Sequence, residues 1–143
     1  MKKSLKLSLS YLIMGLILGV YYREATKGMG FTGDTMLAVV HTHSLILGAT
    51  FFFIVAICCK VFNLDSYKHF NKMLVLYNIG FLMVIIMMLV RGSLQVFNVA
   101  ISSGIDSMIS GFAGISHIIL SAGLVFFAVA VKKSLANNDK INA

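Results

Sequence analysis

Charge is what this chain most lacks. Only 12% of its 143 residues are Asp, Glu, Lys or Arg, and five are acidic, while 59% are hydrophobic and the mean hydropathy is +0.92. That balance excludes an ordinary soluble domain. Cysteine is scarce too: Cys58 and Cys59 are adjacent, a poor geometry for a disulfide, and read as filler rather than as a framework. No basic patch reads as a nucleic-acid footprint, so no nucleic-acid partner is expected.

What is present is apolar length. A helix needs about 20 mostly apolar residues to cross the hydrocarbon of a bilayer. Four windows qualify, Leu5–Tyr22, Met36–Cys59, Met73–Val90 and Met108–Val131, and past Lys6 they contain no Asp, Glu, Lys or Arg. The first follows Lys2, Lys3 and Lys6 as a signal peptide would, but runs into Tyr21-Tyr22-Arg23 without a small-residue cleavage site, so it counts as a span. The expectation is an all-α, integral membrane four-helix bundle, up-down-up-down, forming one domain over residues 1–143.

Basic residues orient it. With a cytoplasmic N-terminus, nine lie on inner segments (Lys2, Lys3, Lys6, Lys60, Lys68, Lys72, Lys132, Lys133, Lys140) and three on outer ones (Arg23, Lys27, Arg91). This positive-inside distribution places both termini in the cytoplasm of a bacterial plasma membrane. It also assigns the net charge of +7 to the inner membrane surface.

Between the spans, the Gly-rich segment from Arg23 to Asp34 is an outer loop, with Asp34 or Thr35 as a cap for the second span. The polar stretch Asn63–Lys72 is an inner interfacial loop, with His69 solvated. Leu94–Asp106 has apolar residues at helical spacing and predicts a short helix lying on the outer surface, ended by Gly104.

The chemistry lies in three histidines. An ionisable side chain at membrane depth is a functional-site hypothesis by default, and His41, His43 and His117 have no Asp or Glu within the spans to pair with. His41 and His43 are two residues apart, so on a helix they point about 200° apart and serve opposite faces. His43 precedes Cys58, and His117 precedes Lys132, by the same interval, which puts His43 and His117 at one depth in the outer half of the membrane. Around His117 a stripe of small residues (Ser110, Ala113, Gly114, Ser121, Ala128) predicts an inward-facing side. Spans two and four also share His-x8-Phe-Phe-x-Val-Ala, the pattern of an internal repeat. Gly15-x-x-x-Gly19 in span one is a helix-packing motif.

Neutral imidazole ligates metals, and the positive dipole end of a nearby helix N-terminus disfavours the charged form. Zinc would want carboxylates or the cysteines, which are missing or at the opposite surface. Copper could combine the histidines with Met83, Met87 or Met88. Haem needs only one or two axial histidines, an apolar slot and cations for its propionates, and Gly48 would help to open that slot.

A His-x-His on the second helix of a four-helix unit, with an arginine after the third, resembles the catalytic subunit of haem-copper oxidases. Their twelve helices form three pseudo-threefold-related arcs of four. The resemblance implies axial ligation by His41 and His43, with Arg91 holding propionates. It also implies a homotrimer in which each chain supplies one arc. The sequence has no His-His pair and no tyrosine one turn from a histidine, so the family's copper site and its oxygen reduction are not implied. The reading is a small b-type haem protein for electron transfer, haem handling or redox or gas sensing, with an unidentified redox partner. The alternatives are a copper-binding or copper-transport protein and a structural membrane assembly protein.

Topology is directly testable: reporter fusions at Ala143 should report a cytoplasmic C-terminus, and fusions within Gly28–Gly33 an external loop. A periplasmic C-terminus would reverse the orientation.

Overall fold

In the computed structural model, backbone is described from Met1 to Asn142 and side chains as far as Asn137. Lys140, counted above among the inner basic residues, and Ala143 lie outside what is described. The chain is all-helical among the described residues: α1, Lys2–Gly28; α2, Leu37–Phe62; α3, Phe70–Val96; and α4, Ser103–Asn142. Each is long and apolar enough to cross a membrane. Successive helices run antiparallel. The end that carries Lys2, Lys60, Lys68 and Lys133 is called the basic end.

The helices follow one another round an open arc rather than closing a bundle. α1 packs on α2, α2 on α1 and α3, and α3 on α4, while among the described residues α1 and α4 form no packed interface. Glycines set the closest approaches. A Cβ on Gly80 would lie 2.4 Å from the Leu120 nitrogen, and one on Gly123 2.7 Å from the Tyr77 Cα, so α3 and α4 meet backbone to backbone. On α1 the Gly15-x-x-x-Gly19 motif instead makes room for side chains of α2, Leu45 against Gly15 and His41 against Gly19. The aromatic centre lies between these seams, where fully buried Tyr77 stacks on Phe51 at 3.8 Å and Tyr11 meets Phe81 edge-on at 4.7 Å.

Although the sequence has no proline, α2 is not a continuous α-helix. Residues Ser44–Thr50 form a π-helical segment directly after His43. Its wider turns take the N–H groups off their usual carbonyls, and hydroxyls from α1, α3 and α2 itself replace them. Ser8 of α1 donates to the Ala49 carbonyl at 2.8 Å, Tyr77 of α3 to Leu47 at 2.7 Å, and Thr50 to Leu45 at 3.0 Å. Ser44 returns a bond to the Tyr11 carbonyl at 3.0 Å.

Three expectations change. The segment 94–106 is not a surface helix: α3 continues to Val96 and ends in a Schellman motif, with Asn98 at φ 50° and N–H groups of Asn98 and Val99 bonded back to Gln95 and Leu94. α4 then begins at Ser103, whose preceding Ser102 hydroxyl accepts the Ile105 N–H, so Gly104 starts a helix instead of ending one. The repeat between α2 and α4 does not extend to packing: Phe52 and Val55 are fully buried, whereas their counterparts Phe126 and Val129 are exposed. At the start of α2, Thr35 does act as a cap, accepting the Leu37 N–H while donating to the Gly92 carbonyl of α3 at 3.0 Å.

Gly80→Ala should destabilise the protein by about 1–3 kcal/mol, because backbone of α4 cannot yield to a methyl group. Gly28→Ala, which meets nothing within 4 Å, should be near neutral. Thermal unfolding in detergent compares the two.

Candidate functional site

The two histidines of α2 face different neighbours. His41 turns to α1, its Cβ lying 3.7 Å from where a Gly19 Cβ would stand and its ring stacked over Tyr22 at 6.3 Å and 11°. Its Nδ1 is buried without a hydrogen-bond partner. His43, half-buried, lies beside Thr42, Ile46 and Leu47 in a depression of about 300 Å³ on the other side of the helix. Leu47, one turn further on, is joined to α3 through the Tyr77 hydroxyl.

On α4 the buried face is Ser116, Leu120, Gly123 and Ala130, which packs on α3. His117 is one residue off it and is exposed, and so are Ser110, Gly114, Ser121 and Ala128. The small-residue stripe is therefore not the buried face, which corrects the inward reading of His117. It runs along the edge of α4 next to α2. Leu135, five turns from His117 and so in line with it, and Ala128 and Val131 share a groove with Ile54 and Cys58 of α2. At that end the two helices touch, Phe51 meeting Phe127 at 5.1 Å. Towards the other end both helices pack on α3, His43 being half-buried on α2 and His117 exposed on α4.

α3 serves as a ruler for depth. Leu37 against Gly92 and Phe81 against Gly48 put His43 level with about Ile86; Leu120 against Gly80 and Ser110 against Arg91 put His117 near Met83. The difference is about one turn, ~4 Å.

Both rings are held the same way. Nδ1 of His43 lies 2.8 Å from the Val39 carbonyl, and Nδ1 of His117 lies 2.7 Å from the Ala113 carbonyl, each one turn back on its own helix. A carbonyl only accepts, so in the neutral ring Nδ1 carries the proton and the Nε2 lone pair is left free, the arrangement of a metal-ligating histidine.

Arg91 lies at the end opposite the basic one. Its Nη2 donates to the Ser110 hydroxyl at 2.7 Å and pairs with Asp106 Oδ1 at 3.0 Å. Ser110 stands two turns from His117 on the same face, so the guanidinium is about 10 Å along α4 from that imidazole. Asp106 was not readable as a partner, because fifteen residues and a loop separate it from Arg91; only the fold brings them together. Gly48 is not part of this site: a Cβ there would stand 2.7 Å from Tyr11 Cβ and 2.9 Å from Phe81 Cζ, so the room it leaves is filled by those side chains. Gly114, with nothing within 4 Å, is the open glycine on the His117 face. Cys58 and Cys59 are free and buried, and His69 sits at the basic end against Tyr67.

These features define a class: an all-helical chain with four helices of membrane-spanning length and accessible histidines on two of them. The chain belongs to the family described as "Protein of unknown function (DUF2871)", whose model matches residues 1–134. No curated protein and no solved structure matches it.

His41→Phe should leave the stability of the single chain unchanged or raise it by about 1 kcal/mol, since it removes a buried nitrogen that has no partner and keeps the ring over Tyr22. Thermal unfolding measures this. A loss of more than that amount would show that His41 is bonded in the assembled protein.

Proposed function

We propose that this is a multi-pass bacterial plasma-membrane protein that binds haem b in the outer half of the bilayer, with both termini in the cytoplasm. His43 and His117 are the axial pair. The observation that carries the reading is that both imidazoles commit Nδ1 to a carbonyl one turn back and leave Nε2 free, at nearly one depth on α2 and α4. Arg91, two turns from His117, stands where a propionate would be, and holds Asp106 and Ser110 with Nη2 alone. Among the described residues no three His, Cys, Asp or Glu side chains come together. That favours a porphyrin, which brings four nitrogens of its own, over zinc.

The site is open, and a haem there would keep one edge uncovered by a single chain. A second copy completes it, and the resemblance to the oxidase arcs makes the assembly a homotrimer. The open arc, unclosed between α1 and α4, supports that likeness. A second scheme, in which His41 of one chain meets His43 of the next, is favoured by the unpartnered Nδ1 of His41. The role is electron transfer, haem handling or redox or gas sensing, with a redox partner; a copper-binding protein and a structural assembly protein are the alternatives.

Protein supplied with haem should show a Soret band and the spectrum of a low-spin bis-histidine centre. His43→Ala and His117→Ala should abolish it while His41→Ala keeps it; loss with His41→Ala assigns the second scheme. Arg91→Ala should weaken haem retention about tenfold without altering the axial spectrum. Absence of a Soret band together with stoichiometric copper binding would replace haem by copper.

A further inference from the structure

At the basic end the cleft between α2 and α4 holds two cavities that adjoin. One, about 680 Å³, is polar and lies between the α2–α3 turn and the end of α4; Asn63, Ser66, Lys68, Lys133 and Asn137 line it. The other, about 620 Å³, is apolar, running between Ile54 and Cys58 of α2 and Phe127, Val131 and Leu135 of α4, with Lys132 as its charged residue. Ala136 lines both. The two cavities are therefore neighbours, meeting at Ala136.

The charges select the ligand. Lys133 is steadied by the Tyr67 ring, its Nζ 5.9 Å from the centroid, and Lys68, on the α2–α3 turn, lines the same cavity. The one carboxylate in the lining, Asp65, is bound by the amino group of Met1 at 3.0 Å. The cavity thus presents two cations and two side-chain amides, the complement of a phosphodiester. From Ala136 to Phe127 the apolar groove follows α4 for about 14 Å, roughly half of a ~30 Å hydrocarbon layer and so the depth of one leaflet. Inorganic phosphate would use only the first cavity, and an uncharged lipid only the second.

We propose that this cleft binds one anionic phospholipid, its phosphate between Lys68 and Lys133 and an acyl chain along the groove from Ala136 to Phe127. The site stands at the opposite end of the molecule from the histidines and does not rest on haem.

The full-length protein, stripped of lipid in mild detergent, is titrated with phosphatidylglycerol or with phosphatidylcholine of the same chains, and bound lipid is read by native mass spectrometry. One phosphatidylglycerol per chain is expected, with phosphatidylcholine weaker. Lys68→Gln and Lys133→Gln should each weaken binding about fivefold and together about thirtyfold. The double substitution to Arg should retain it, and Lys2→Gln with Lys3→Gln, the same charge change outside the cleft, should leave it unaltered. Ala128→Phe, which narrows the groove without touching a lysine, should weaken phosphatidylglycerol about tenfold, about one favourable contact's worth. Circular dichroism confirms that each variant is folded; if the glutamine pair is not, the Arg pair and Ala128→Phe decide. Equal retention of the two lipids overturns the proposal, as does an equal loss in the Lys2/Lys3 control or no effect of Ala128→Phe. Displacement of the lipid by millimolar inorganic phosphate would assign a free-phosphate site instead. None of these readings depends on the Soret band.

Discussion

The end of this molecule opposite the basic one depends on carbonyl groups of α2 that lose their usual N–H partners in the π-helical segment. A π-helical turn in an aqueous protein can leave its loosened carbonyls to water, but a segment at membrane depth has no such recourse. Here Ser8 and Tyr77 bring hydroxyls from the two flanking helices to Ala49 and Leu47. The same bonds tie α2 to both neighbours at its widest point. His41 and His43 sit immediately beyond, so the direction in which α2 presents them depends on these two hydroxyl groups, while the His43 ring itself is held by the Val39 carbonyl.

That inheritance explains what the sequence could and could not disclose. Four apolar windows predict four spans, and the i, i+2 spacing puts His41 and His43 on opposite sides, as α1 and the depression beside His43 now show. The π segment was not legible, because no proline or other breaker marks Ser44–Thr50; its cause lies in hydroxyls on other helices. The surface helix expected after Leu94 failed for a local reason: apolar spacing continued past a point where Asn98 could take a left-handed conformation and end α3. The face of α4 was misjudged by one residue, since small residues occur both on the glycine seam with α3 and on the exposed edge beside it, and periodicity alone does not say which stripe is covered. Gly48 was read as space for a ligand when it is space for Tyr11 and Phe81.

Two kinds of helix contact divide the arc. Between α3 and α4 the backbones meet through Gly80 and Gly123, a geometry that tolerates almost no change. Between α2 and α4 the contact is Phe51 on Phe127, and beyond it towards the basic end Ile54, Cys58, Val131 and Leu135 line an open groove. Charged side chains gather at both ends of the arc, Arg91 with Asp106 at one and Lys68 with Lys133 at the other, while Met36–Cys59, Met73–Val90 and Met108–Val131 between them carry no Asp, Glu, Lys or Arg.

The π-helical turn also acts as a gear. One residue more than a regular helix requires sets the outer part of α2 back by about 100° relative to the inner part. Loss of a single codon within Ser44–Thr50 would let α2 close into a continuous helix of nearly the same length and hydrophobicity. Its composition would scarcely change, yet both histidines would swing together away from the surfaces they now address. The chain therefore carries a rotational setting that is fixed by residue count rather than residue kind, so insertions and deletions would disturb it where many substitutions would not.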